Sequence, residues 1–134
     1  MLRPIREDVA MTGSPAVLVV DDDVMLLTAL ARGLSDYGCQ VVTASSSEVG
    51  LKAAENGRFV AMIVDLQMPG YRAPAFLRRL RTLQPRSICI IYTGEVLEDE
   101  AVATLKREGA DHVVTKPAEF EEITSLMRLP PLLQ

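Results

Sequence analysis

Short runs rich in β-branched residues alternate along the chain with longer stretches whose apolar residues recur at helical spacing. Ala16 to Val20 is continuously apolar, the pattern of a strand buried on both faces. Asp21, Asp22 and Asp23 end it. Leu27, Leu30, Ala31 and Leu34 then mark a helix with Asp23 as its N-cap and Gly38 as its stop. Gln40 to Ala44 reads as a second strand. Ser45 and Glu48 stand at capping-box spacing before a second helix, with Val49 and Ala53 on its inner face and Asn56-Gly57 at its end. A third strand spans Phe59 to Asp65. After the Pro69-Gly70 breaker, Pro74 suits the first turn of a third helix. Leu77 and Leu80 form its apolar side, Phe76 and Leu83 flank it, and Pro85 ends it. Ser87 to Tyr92 is a fourth strand, leaving through Thr93-Gly94. A fourth helix covers about Leu97 to Glu108, acidic at its start, basic near its end and closed by Gly109. His112 to Thr115 is the fifth strand. Lys116-Pro117 follows, then a last helix from about Glu119 to Met127, broken by Leu129-Pro130-Pro131.

Such alternation, with short connections, predicts an α/β fold: a parallel sheet with helices on both faces and right-handed crossovers. Parallel strands all point their carboxyl ends the same way. Asp21 and Asp22 after strand one, Asp65 after strand three, Thr93 after strand four and Lys116 after strand five therefore gather at one edge. Ligands of open α/β sheets sit there.

Composition narrows the picture. Apolar residues make up 49% and charged residues 24%, a globular balance. The net charge of −4, from 18 acids and 14 bases, offers no electrostatic case for direct nucleic-acid binding. Cys39 and Cys89 follow no metal or redox spacing. Cys89 lies in an apolar run and reads as a buried thiol, a usage that suits a reducing cytoplasm. No apolar run approaches the roughly 18 residues of a membrane span. Residues 1–15 carry no apolar periodicity and no signal-peptide core, and read as a mobile leader. Residues 16–129 form the domain, and 130–134 a tail or linker stub.

The chemistry at the shared edge is complementary. Asp21, Asp22 and Asp65 repel one another unless a hard cation stands between them. Mg2+, or Mn2+ in its place, takes oxygen ligands and accepts a couple of carboxylates together with phosphate oxygens. Asp65 then stays ionised, and carboxylates serve as nucleophiles toward phosphorus. Lys116 offers a positive charge and Thr93 a hydroxyl. The backbone N–H groups of Leu66 and Gly94 are further donors for a transferred phosphoryl group, and Gly94 has no side chain to obstruct the approach. Phosphoryl transfer depends mostly on such positioning and neutralisation.

These pieces resemble the receiver domain of bacterial two-component response regulators: VLVVDDD (Val17 to Asp23), VDLQMPG (Val64 to Gly70), Thr93-Gly94, and GADHVVTKP (Gly109 to Pro117). The resemblance covers about Ala16 to Leu129. It implies a flavodoxin-like doubly wound sheet of five strands ordered 2-1-3-4-5 with five helices. It implies that Asp65 accepts a phosphoryl group from a sensor histidine kinase or phosphotransfer protein. It implies metal binding by Asp21, Asp22, Asp65 and the main-chain carbonyl of Gln67, phosphoryl binding by Thr93 and Lys116, and a cis Lys116-Pro117 peptide. It also implies a switching face of helix four, strand five and helix five, available to an output partner or to a second copy in a homodimer. Gln67 and Glu95, two residues beyond Asp65 and Thr93, are expected to flank the attacking water and tune the lifetime of the acyl phosphate.

The chain departs from the family in places. The switch position three before Lys116, usually Tyr or Phe, is Val113, which leaves backbone movement to carry the signal. Ala118 stands where Phe is common, and Arg72-Ala73 where Asp-Gly is usual. Met25 and Ala29 lessen the polarity of the first helix's outer side, which resembles a kinase-docking face. His112 has no evident partners and reads as a surface or strand-edge residue, and Arg78, Arg79 and Arg81 as a solvated helix face. Two other functions compete with the switch, which catalyses its own phosphorylation and dephosphorylation without being a turnover enzyme. A phosphatase of the haloacid dehalogenase type shares the Asp, Thr, Lys and Mg2+ chemistry, but Met25 occupies the Thr/Val place of its nucleophile motif and no acidic pair follows Lys116. The other is an interaction module that no longer accepts phosphate.

Overall fold

A computed structural model describes residues 14–69 and 72–129. Five strands, β1 (Ala16–Val20), β2 (Gln40–Ala44), β3 (Ala61–Val64), β4 (Ile88–Thr93) and β5 (His112–Thr115), form one parallel sheet ordered β2-β1-β3-β4-β5. Helices α1 (Val24–Asp36), α2 (Ser47–Asn56), α3 (Ala73–Leu83), α4 (Asp99–Glu108) and α5 (Phe120–Leu126) alternate with them. The expected architecture and strand order are both present. The leader up to residue 13, the Gly70 half of the turn and the tail lie outside the described residues.

Strand alternation divides the interior into two layers. Leu18, Val20, Met62, Val64, Cys89 and Ile91 face α2, α3 and α4, meeting Ala54, Phe76, Leu77, Leu80 and Leu105. Val17, Val19, Ala61, Ile63, Ile90 and Tyr92 face α1 and α5, meeting Leu27, Leu30, Leu34, Ile123 and Met127. Every residue of β1 and β3 is buried because both strands are covered on both faces. Edge strand β2 buries only Ala44.

Local signals mostly act as expected. The Asp23 carboxylate accepts from the N–H groups of Met25 and Leu26 and caps α1. Gly38 and Gly109, at φ 102° and 133°, take the positive dihedrals after α1 and α4 that a side chain resists. Pro74 lies in the first turn of α3. The second helix corrects the reading by one position. Ser46, not Ser45, is its N-cap, accepting from Val49 N–H at 3.2 Å. Its fully buried residues are Gly50 and Ala54; Ala53 packs half-buried against the same core as expected, while Val49 is 50% exposed. Glycine suits position 50 because a Cβ would crowd the buried Val20 side chain, at 3.0 and 3.2 Å from its two methyl carbons. Close approach to β1 outweighed the larger Val49 as a core residue.

The arginines of α3 are not simply solvated. Arg78 pairs with Glu108 at 2.8 Å and Arg79 with Glu55 at 3.7 Å. Arg81 turns to the amino end of the sheet and donates to the carbonyls of Gln84, Pro85, Ser87 and Gly109 and to Asp111 Oδ2. Beside it the buried Gln84 side chain accepts from Phe59 N–H and donates to the carbonyls of Ala54 and Gly57. These two side chains tie α2, α3, β4 and the turn before β5 together.

Candidate functional site

At the opposite edge, register brings the acids together. Val20 pairs with Val64, and the N–H of Asp65 donates to the carbonyl of Val20 at 2.9 Å, which levels Asp65 with Asp21 on the neighbouring strand. Val64 pairs with Ile91, so β4 and β5 reach one pair beyond Asp65, where Thr93 pairs with Thr115 and the N–H of Lys116 donates to the Thr93 carbonyl at 2.7 Å. The Lys116-Pro117 peptide is cis.

Asp21, Asp22 and Asp65 can each turn one carboxylate oxygen to a common point, with those oxygens all within 4.8 Å of one another. Asp21 and Asp65 are buried and Asp22 is exposed at the mouth. Lys116 is the amine that answers them. Its Nζ is 2.9 Å from Asp21 Oδ2 and 3.7 Å from Asp65 Oδ2. Asp21 is further fixed by the N–H of Asp23 at 2.9 Å.

The electrostatics follow from this crowding. Burial pushes the Asp65 carboxyl above its ordinary value and the charge of Asp21 adds to the effect; the backbone N–H of Gln67, the charge of Lys116 and the N–H of Leu66 pull the other way without reversing it. For Lys116, burial alone lowers the pKa, but the hydrogen bond and charge of Asp21 and the charges of Asp65 and Tyr92 outweigh burial and raise it. One ammonium thus faces three carboxylates, two of them buried. That residual negative charge and all-oxygen donor set fit a hard divalent cation.

The flanking residues are placed as follows. The Thr93 hydroxyl accepts from the N–H of Glu95 at 3.1 Å, which orients the loop leaving β4. A Cβ on Gly94 would meet only the Gln67 side-chain oxygen, at 4.0 Å, so Gly94 and Gln67 face one another across the mouth. Both Gln67 and Glu95 are exposed. Val113 is half-buried on the α4 side of β5, packed with the layer that includes Ile91 and Leu105. Met25 is 83% exposed beside Asp22 and Asp23, and Val24 and Val96 are exposed as well. His112 is half-buried in β5.

Sequence reasoning passed over Tyr92 as one more strand residue. Its hydroxyl accepts from the N–H of Ala118 at 3.1 Å, and its ring lies under Lys116 Nζ at 5.6 Å. A single aromatic at the end of an aliphatic run, next to Thr93, was the available signal.

Comparison with known proteins supports the family. The model of the response regulator receiver domain matches residues 17–128. The transcriptional regulatory protein PrrA of Mycobacterium bovis is 32% identical over 86% of this chain, which spans 49% of that protein. The photosynthetic apparatus regulatory protein RegA of Rhodobacter capsulatus is 30% identical over 91% of the chain and 66% of its own length. The chain therefore spans about half the length of PrrA. Among solved structures, a response regulator protein of Burkholderia pseudomallei superposes with a TM-score of 0.80 at 29% identity, over 86% of this chain and 67% of that one. A CheY-like receiver domain protein of Methanospirillum hungatei gives 0.77 at 26% identity, over 85% and 94%. With the fold, the acid cluster and a family match over nearly its whole length, the chain belongs to the response regulator receiver domain family.

Proposed function

We propose that this receiver accepts a phosphoryl group on Asp65 from a phosphohistidine of a sensor kinase or phosphotransfer protein, in a reaction that depends on Mg2+. One observation carries the reading. A buried carboxylate at the end of a central strand has Lys116 at 3.7 Å and shares a 4.8 Å oxygen cluster with two other acids. The solved relative from Burkholderia pseudomallei is described with a phosphorylated aspartic acid and a calcium ion, which supports the same chemistry here.

Asp21, Asp22 and Asp65, with the main-chain carbonyl of Gln67, would hold the cation, which when bound neutralises carboxylate and phosphoryl charge. Asp65 supplies the attacking oxygen. Lys116 and the Thr93 hydroxyl bind the transferred group, and the N–H groups of Leu66 and Gly94 add donors. Gln67 and Glu95 at the exposed mouth govern how water reaches the acyl phosphate and so set its lifetime. Phosphorylation shifts the face of α4, β5 and α5 toward a form that meets an output partner or a second copy of the chain. Residues 16–129 act as the receiver unit, in the cytoplasmic setting of its proposed kinase partner. Among the described residues no helix is long and apolar enough to cross a membrane.

The test is mass spectrometry after incubation with acetyl phosphate and Mg2+. A gain of one phosphate that is lost in Asp65→Asn supports the reading. No gain from any phosphodonor overturns it.

A further inference from the structure

Val113 leaves the family's aromatic place on β5 empty of an aromatic, yet a ring does stand beside the site. Tyr92 immediately precedes Thr93 and is 5% exposed. Alternation along β4 sends Ile91 to the layer that contains Val113 and sends Tyr92 to the opposite layer, under α1 and α5. The ring and its hydroxyl hold two points of the segment after β5. Lys116 Nζ stands 5.6 Å from the ring centroid, within reach of its π face. The N–H of Ala118 donates to the hydroxyl at 3.1 Å. Lys116 senses the charge at Asp65, and Ala118 leads into α5.

Packing continues the connection beyond Ala118. Phe120 opens α5 and lies on Gly33 of α1, where a Cβ would stand 2.8 Å from Phe120 Cε1. The Phe120 ring also meets Tyr37 edge-on, with centroids 6.3 Å apart at 73°. Gly33 therefore lets the start of α5 seat closely on α1. Such close packing changes by steps rather than by smooth deformation.

We propose that Tyr92 is the positioning residue through which this receiver reads its own phosphorylation. Movement of Lys116 toward a phosphoryl group alters the Tyr92–Ala118 contact and shifts the Phe120 end of α5 against α1, on the sheet face opposite Val113. Lys116 rests nearer Asp21, at 2.9 Å, than Asp65, at 3.7 Å. An acyl phosphate carries a charge of about −2 on the Asp65 side where the carboxylate carried −1, and carries it on oxygens farther out, so the two states hold Lys116 differently. That difference is what a population shift requires. The inference rests on Asp65 being the phosphoacceptor.

Amide NMR of the full chain with Mg2+ and beryllofluoride, a phosphoryl mimic, tests it, while fluorine NMR reports separately whether the adduct has formed. In the parent protein the adduct is expected to shift the Ala118, Phe120 and Gly33 amides. In Tyr92→Phe, which keeps the ring and removes the hydroxyl, the adduct-induced shifts at Ala118 and Gly33 are lost. In Phe120→Leu the Ala118 shift persists and the Gly33 shift is lost. Val113→Ala responds as the parent does. Adduct-induced shifts of equal size in Tyr92→Phe and the parent overturn the inference. So does an adduct that leaves Ala118 and Phe120 unmoved in the parent, with Asp65 still the acceptor. Absence of any bound-fluoride signal in the parent removes the phosphoacceptor reading and this inference together.

Discussion

The two ends of the sheet treat their polar groups in opposite ways, although the buried Ser87 Oγ at the amino end has no hydrogen-bond partner among the described residues. At the amino end, Gln84 has donors and acceptors on every side, and Arg81 meets four carbonyls and the Asp111 carboxylate, which itself accepts from Cys89 N–H. At the carboxyl end, two buried acids share one lysine beside an exposed third acid, and burial and Asp21 push the Asp65 carboxyl up. A satisfied network rigidifies; an under-neutralised one keeps negative charge that a hard cation would offset. The contrast separates what holds this domain together from the edge where the proposed chemistry would take place.

Substitution at the acceptor breaks the contrast most completely. Asp65→Asn should abolish the phosphate gain while the domain stays folded, by circular dichroism. In chelator, its unfolding midpoint should exceed the parent's. The folded carboxyl sits above its ordinary 3.8, so its contribution to stability is present below that value and is lost as pH rises through the folded one. Asparagine removes that loss, and equal midpoints at neutral pH would contradict the account.

Next in size is the amino end. Gln84→Ala strands Phe59 N–H and the carbonyls of Ala54 and Gly57, which should cost about 2–4 kcal/mol in urea unfolding. Phosphorylation of the folded fraction should be unaffected. A matching loss of phosphate acceptance would show that the two ends are not independent.

A smaller effect concerns the cation. Mg2+ at about a hundred times its dissociation constant should stabilise the parent by about 2.7 kcal/mol. Asp22→Ala should need far more Mg2+ for the same rise in melting temperature, because Asp22 is the exposed third acid of the cluster. An unchanged Mg2+ titration would remove Asp22 from the ligand set.

The smallest effect tests burial within the sheet at its amino end, where Cys89 is the second residue of β4. Desolvation pushes the Cys89 thiol up to about 12 from an ordinary 9.0. The thiolate is the reactive form, so Cys89 should resist disulfide reagents in the folded protein at mildly alkaline pH and react once urea unfolds it. The thiol form favours the fold, so its contribution is fully present below 9.0 and is lost as pH rises toward 12. Labelling of Cys89 in the native state would place that layer in contact with solvent.

Much of this was legible from local pattern. Continuous apolar runs located β1 and β3, and β5 ran from His112 to Thr115 as expected. The acids, Thr93 and Lys116 were identifiable because each ends a strand, and parallel strands place their ends together. Helix faces were harder to read. The cap of α2 is Ser46 rather than Ser45, and close packing on β1 puts Gly50 and Ala54 inward and Val49 outward, with Ala53 partly buried against the core. Arg81 was misread because its partners are carbonyls at the ends of other elements, which leave no mark in residue type.

The sequence by itself determined the alternation of strands and helices, the edge at which chemistry is concentrated and the residue types gathered there, because these depend on periodicity and on the direction of each strand. Tertiary structure decided which partners those residues take. It set Lys116 nearer Asp21 than Asp65, gave Tyr92 rather than Val113 the contact with the segment entering α5, and made Arg81 and Gln84 structural ties. Those outcomes rest on sheet register and on the close seating of helices. They bring together groups tens of residues apart, and no local pattern encodes them.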